Sequence, residues 1–215
     1  MQKSKLIVIV LVLSLAFVWE DPLTAAVTPA DPWQSSPIEA PSPTPFTWNS
    51  SIGYYDNQLV YPGNDQKIYA HDLSNATSVE VLDLSSDPRF GFGPSGFLVS
   101  QDNHLYFHDN GTTKNLYRID LTVPWPPDLE SFDTEASGSI FAFAENPWTD
   151  VLWFASADFP PGDMYLYEVD QSFAGATQRA SFPQPHEGGS GPIIFNGPST
   201  LFYGESVWAG NGYFH

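Results

Sequence analysis

The chain has no cysteine among its 215 residues, which removes disulfides, thiolate metal sites and a lipid-modified lipoprotein cysteine at once. It is nearly as poor in cations: seven Lys and Arg stand against 25 Asp and Glu, for a formal net charge of −18. Lys3 and Lys5 sit at the N-terminus, so the rest of the chain carries only Lys67, Arg89, Lys114, Arg118 and Arg179. A phosphate backbone demands many cationic contacts, and an anionic membrane surface demands the same. Nucleic acid is therefore not an expected partner. Long apolar runs are missing too. Residues 6–13 are unbroken apolar, and Leu15-Ala16-Phe17-Val18-Trp19 continue the run past Ser14. These fourteen residues fall short of the ~20 that a membrane-crossing helix needs.

What the N-terminus does have is a basic start, an apolar middle and small residues at Thr24-Ala25-Ala26. That order predicts a secretory signal peptide over residues 1–26, with no membrane span left after cleavage. Glu20 and Asp21 just past the apolar run keep an uncleaved anchor open as the alternative. Residues 27–47 carry Pro29, Pro32, Pro37, Pro41, Pro43 and Pro45 among Ser, Thr and Ala, which predicts an extended, semi-rigid linker. The whole chain has 16 Gly, 20 Pro and 15% aromatics; strand-formers dominate it, and no long stretch after residue 26 has a helical apolar period. An all-β domain follows.

Self-similarity organises that domain. Leu116-Tyr117-Arg118-Ile119-Asp120-Leu121 recurs as Ile68-Tyr69-Ala70-His71-Asp72-Leu73 and as Leu166-Tyr167-Glu168-Val169-Asp170-Gln171. Ahead of each copy runs a second mark: Leu59-Val60-Tyr61, Leu105-Tyr106-Phe107, Leu152-Trp153-Phe154 and finally Leu201-Phe202-Tyr203. A period of about 40–50 residues with several short strands per unit is the signature of propeller blades. The expected fold is an all-β β-propeller of four visible units, at about 51–90, 95–135, 138–185 and 190–215. The last is incomplete, so the chain is expected to be either a closed four-bladed disc or, the reading the stop at His215 favours, a fragment of a larger propeller.

The second unit shows the pattern best. Residues 96–100, 104–108 and 115–121 read as strands, and 129–133 as a more polar fourth. Asp102-Asn103 reads as a tight-turn pair whose side chains tolerate left-handed backbone, as does Asp56-Asn57 in the first unit. Ser95-Gly96, Ser137-Gly138 and Ser190-Gly191 precede first strands, where small residues let crowded backbones approach. Tyr69, Tyr117 and Tyr167 are expected to pack between blades. Asp72, Asp120 and Asp170 are expected to bond the backbone of the next turn.

The hydrophobic-Tyr-x-x-Asp strand, its preceding hairpin and the period near 48 make residues 48–215 resemble the secreted bacterial β-propellers as a broad group. The kelch class would want Gly-Gly in each blade, but Gly188-Gly189 occurs once. The WD40 class would want a Trp-Asp ending, but Trp148-Thr149-Asp150 falls in a hairpin turn. The tryptophan-docking motif of quinone-dependent dehydrogenases is absent as well. The resemblance implies export, to the medium or to the envelope or periplasm of a bacterium. Asn49-Ser50-Ser51, Asn75-Ala76-Thr77 and Asn110-Gly111-Thr112 match glycosylation sequons, which matter only in a eukaryotic source.

In a propeller, the loops before first strands and between second and third strands share one face at the channel mouth. Arg89, Phe90, Glu135, His186 and Glu187 are expected there, joined by Asp65, His108, Asp109, Lys114, Asp158, Asp163, Glu205 and Trp208. Of these, His108, Asp109, Asp158, Asp163, His186, Glu187 and Trp208 are the candidate ligand-binding residues. No cofactor is called for, although such carboxylates could hold Ca²⁺ through oxygen. Asp109-Asn110-Gly111 lacks the spacing of a calcium loop, and His186-Glu187 is not the paired-histidine metal helix. The favoured function is an exported, non-catalytic propeller that binds a protein or glycan partner at its loop face, with Trp208, Trp125 and Phe90 as stacking area. A secreted hydrolase or lyase with an acidic, calcium-assisted site is the alternative, Asp109 and Asp158 being one pair suited to glycoside hydrolysis. An architectural envelope repeat without ligand is the third reading.

Overall fold

The computed structural model describes residues 52–109, 113–158, 162–183, 188–207 and 212–214. The expected signal peptide and linker lie outside the described residues. Four antiparallel sheets follow one another along the chain. The first holds β1 (Gly53–Tyr55), β2 (Gln58–Pro62), β3 (Lys67–Asp72) and β4 (Thr77–Asp83). The second holds β5 (Ser95–Val99), β6 (His104–His108), β7 (Asn115–Asp120) and β8 (Glu130–Asp133). The third holds β9 (Ser139–Asn146), β10 (Val151–Ala157), β11 (Asp163–Val169) and β12 (Ala176–Pro183). β13 (Gly188–Phe195), β14 (Leu201–Val207) and β15 (Gly212–Phe214) form the last.

Each sheet is a meander, paired strand to next strand in chain order. Between sheets, close approach runs through the first strands: β1 on β5, β5 on β9 and β9 on β13. The outer strands β4, β8 and β12 make no comparable approach among the described elements. Sheets that meet at their first strands and splay at their last are the blades of a propeller. No comparable contact joins β13 back to β1 among the described elements, so these blades form an open arc.

The hydrophobic core lies between blades, because strand side chains alternate between two faces. In β6, Leu105 and Phe107 join the cluster shared with the first blade, whereas Tyr106 joins the one shared with the third. In β11, Leu166 faces the fourth blade, and Tyr167 and Val169 face the second. The repeated tyrosine has a direct physical cause. Tyr69 lies opposite Tyr61 on the neighbouring strand, Tyr117 opposite Phe107, and Tyr167 opposite Phe154. All three pairs stack, at centroid distances of 5.7, 5.6 and 4.8 Å, the cross-strand aromatic contact that stabilises a sheet. Tyr117 and Tyr167 pack into inter-blade clusters as expected.

The Ser-Gly expectation also has a specific basis. Gly96 and Gly138 hold φ of +69° and +72°, a region that side chains avoid. A Cβ on Gly96 would stand 2.6 Å from the His108 ring, and one on Gly138 would collide with the Ala157 carbonyl. Nearby, Ser156 is fully buried and donates to the Ser137 carbonyl at 2.6 Å. Ser156→Ala is expected to cost about 1–2 kcal/mol of stability in chemical denaturation, since it removes the hydrogen bond of a buried hydroxyl to the neighbouring loop.

Two features escaped the sequence. A 3-10 turn, Pro88–Phe90, is capped by Asp87 and drives Phe90 into the first inter-blade cluster, fully buried against Tyr117 at 4.7 Å. Phe90 is thus core and not the exposed stacking residue expected, and Trp125 is half-buried against the same cluster. The second-blade turn also differs. Asp56 and Asn57 both take positive φ, as a two-residue hairpin turn requires. In the second blade only Asn103 does so, because Ser100 rather than Asp102 closes the turn by bonding His104.

Candidate functional site

At the loops joining second to third strands lie four of the residues singled out at sequence level, His108, Asp109, Asp158 and Asp163. His108 is buried against Phe143 with ring centroids 5.7 Å apart, and burial pushes its imidazole down to about 4. Asp109 is fully buried, and its carboxylate accepts from the Thr113 amide at 2.9 Å, the Thr113 hydroxyl, and the Tyr117 hydroxyl at 3.5 Å. Asp158 is half-buried and accepts from the Tyr165 hydroxyl at 3.2 Å, in the same loop as exposed Asp163, whose carbonyl bonds the Asp158 amide. In the first blade Asp65 receives the Tyr69 hydroxyl at 2.5 Å. Burial, and then that bond, push the Tyr69 phenol up to about 12. In three blades, then, a carboxylate of this loop is bonded by a phenol from the following strand, which anchors the loop. The structure brings Asp158 and Asp163 together in one loop, with His108 and Asp109 on the neighbouring blade. His186, Glu187 and Trp208 lie outside the described residues.

Two cavities among the described residues lie at the opposite end of the blades, where turns join first to second and third to fourth strands. A cleft of about 180 Å³ opens between the second and third blades, lined by Asp102, Tyr106, Arg118, Glu145, Asp150, Asp170 and Phe173 among others. Its one cation is committed: Arg118 gives two hydrogen bonds to Glu130 at 3.0 and 2.8 Å and lies over the Phe173 ring at 4.3 Å. Glu145 accepts from the Gln101 amide at 2.8 Å. Burial pushes its carboxyl up, that amide pulls it back, and the Asp102 and Asp150 carboxylates add to the rise. Burial acts on Asp102 in the same sense, but the Ser100 hydroxyl and the His104 imidazole, 3.0 Å away, outweigh it and hold Asp102 below the usual carboxylate range.

Beside this cleft, with Ser100 common to both, lies a shallower groove of about 530 Å³ between the first and second blades. Tyr54, Tyr55, Asp56, Gln101 and Asn103 line it, and Tyr54 is 61% exposed. Trp148 stands in the turn of the third blade, 55% exposed. Exposed aromatic side chains thus stand at the turn end of two blades, Tyr54 in β1 and Trp148 in the turn between β9 and β10. Sequence reasoning read Asp56-Asn57 and Asp102-Asn103 as turn chemistry and stopped there. The signal that would have found the face was their recurrence at equivalent positions of neighbouring blades, with Tyr54-Tyr55 directly ahead of the first. Among the described residues no group of three or more His, Asp or Glu side chains is arranged to hold a metal ion, and no helix is long and apolar enough to cross a membrane.

No protein-family model matches the sequence, and no curated protein matches it. Solved structures do match. A chain in the crystal structure of the mitotic checkpoint complex, a WD40-type propeller, superposes with a TM-score of 0.52 at 14% identity, over 74% of this chain and 45% of that one. An α-L-arabinofuranosidase from Clostridium thermocellum gives 0.48 at 14% identity, over 74% and 60%. The computationally designed Ika4 protein gives 0.45 at 9% identity, over 76% and 88%. The chain thus spans about half the length of the checkpoint chain it matches. At such identity the first likeness shows the fold, a β-propeller, and nothing about activity.

Proposed function

We propose that this is an exported, non-catalytic binding propeller that engages a protein or glycan partner through the turn face of its first three blades. Export is supported by the basic, apolar and small-residue succession of residues 1–26. Binding is supported by one observation above the others: cleft and groove adjoin at Ser100, and the groove is lined by the exposed aromatic side chain of Tyr54. An exposed aromatic ring on a rigid element supplies large contact area at low entropic cost.

The test uses labelled protein and an envelope fraction separated into protein and polysaccharide. Retention on one of them is expected, falling at least about ten-fold, or about 1.4 kcal/mol, in Tyr54→Ala. Arg179→Gln, on outer strand β12, should leave it intact. Retention that Tyr54→Ala and Trp148→Ala both leave unchanged would remove the reading.

The hydrolase reading keeps one observation in its favour. Glu145 and Asp102 line a single cleft and are pushed in opposite directions, the pattern that separates a general acid from its partner carboxylate. Wild-type protein is expected to release no reducing ends from a panel of polysaccharides. Release that Glu145→Gln abolishes would establish the hydrolase instead.

A further inference from the structure

We infer that the groove between the first two turns is a saccharide-binding subsite, in which Tyr54 stacks on a sugar ring and Asp56, Gln101 and Asn103 take its hydroxyls. This rests on the binding reading above and narrows the partner to one chemical class. A contrast among the turn residues carries it. Elsewhere, polar turn side chains are bonded within their own loops: Asp72 to Ser74, Asp83 to Ser85, Asp120 to Thr122, Asp133 to Glu135 and Asn75 to Thr77, each through the amide two residues on. The side chains of Asp56, Gln101 and Asn103 have no such bond to a described residue, yet all three line one groove with Tyr54 and Tyr55.

The backbone beneath them is held firmly. Asn57 accepts from Leu73 at 3.1 Å, Asn103 bonds Ser100 at 3.0 Å, and the Gln101 amide is tied to Glu145 across the blade boundary at 2.8 Å. The polar groups are thus presented on fixed turns, which lowers the ordering cost of binding. Their chemistry suits a sugar. A pyranose offers an apolar C–H face to an aromatic ring and hydroxyls that both donate and accept. A carboxylate accepts only, and a carboxamide does both. A peptide strand would instead seek a free sheet edge or apolar pockets, whereas the groove lies at hairpin turns and has Val99 as its single aliphatic lining residue. Charge selects further. With a net charge of −18 and Asp56 at the rim, a neutral or amino sugar is complementary, and a uronate or sulfated sugar is repelled.

Titration of the folded protein with neutral gluco-, manno- and xylo-oligosaccharides, N-acetylglucosamine oligomers, and the anionic oligomers of hyaluronan and alginate tests this. Binding of at least one neutral or amino family is expected, with the anionic oligomers excluded. Tyr54→Ala should weaken it at least about ten-fold, the loss of one aromatic anchor, and Gln101→Ala by a smaller factor. Both side chains are exposed, so their removal leaves the core intact, which an unchanged melting midpoint verifies. Saccharide binding that survives Tyr54→Ala overturns the inference, as does the absence of binding across the panel. If the panel fails while Tyr54-dependent retention on the envelope protein fraction persists, the groove is a protein contact and only the saccharide inference falls. If both fail, the binding reading falls with it.

Discussion

Phe107→Ala is expected to remove about 3–5 kcal/mol of unfolding free energy, the usual cost of emptying an aromatic site in a packed core. Small domains have only about 5–15 kcal/mol in total, so the variant should unfold at markedly lower denaturant. The reason for so large an effect lies in where Phe107 sits. It is fully buried in β6, stacks on Tyr117, and packs on Phe90 at 6.0 Å and Phe97 at 5.7 Å. That cluster also holds Val60, Ile68 and Ala70 of the first blade. The cavity would open on the boundary between two blades, in the middle of the cluster that joins them. Phe107→Leu fills most of the space and should cost much less. Equal losses in the two variants, measured by urea denaturation, would mean that the lost volume at this boundary is not what sets the cost.

Acidification is expected to weaken the protein between about pH 6.5 and 4, and His108 is the cause. Burial keeps its imidazole neutral in the folded chain down to about 4, whereas the unfolded imidazole takes a proton near its ordinary value of about 6.5. Between those limits the unfolded state binds more protons, so stability is complete above the upper one and declines toward the lower. At about 1.4 kcal/mol per unit the loss approaches roughly 3 kcal/mol by pH 4. The lowered carboxylates Asp72, Asp83, Asp87 and Asp120 act in the same sense, but only as the pH falls below the ordinary aspartate range. Glu145, raised by burial, works the other way as it protonates. His108→Phe should therefore flatten stability across the upper window, whatever its cost at neutral pH. A slope that persists in the variant would assign the acid sensitivity elsewhere.

How much of this could be read from residues alone depended on whether the signal survived translation into packing. The second and third strands of the first three blades bury residues on both faces, so their hydrophobic-Tyr-x-x-Asp and Leu-x-aromatic marks repeat, and β6 falls at residues 104–108 as expected. The outer strands β4 and β12 were not legible. One face of each meets solvent, and Thr77–Asp83 and Ala176–Pro183 are largely exposed polar segments. The loop residues misdirected for a different reason. A histidine and an aspartate beside Asn110-Gly111 look like solvent-facing ligands, but His108 closes over Gly96 and Asp109 turns inward to Thr113. Burial of that kind depends on a neighbouring blade and leaves no local trace. Glu145 was hidden likewise, one charge near the end of a long strand, given meaning only by the Gln101 amide from the blade beside it.

Among the described residues the hydrophobic clusters lie between sheets, which has a consequence for how the molecule opens. A lone blade has two greasy sides and no interior, so it cannot persist by itself, and energetic coupling passes only from neighbour to neighbour, as along a stack of tiles. Loosening should therefore start at the outer blades of the described arc and travel inward one seam at a time, with amide exchange slowest in the second and third blades, each clasped on both sides.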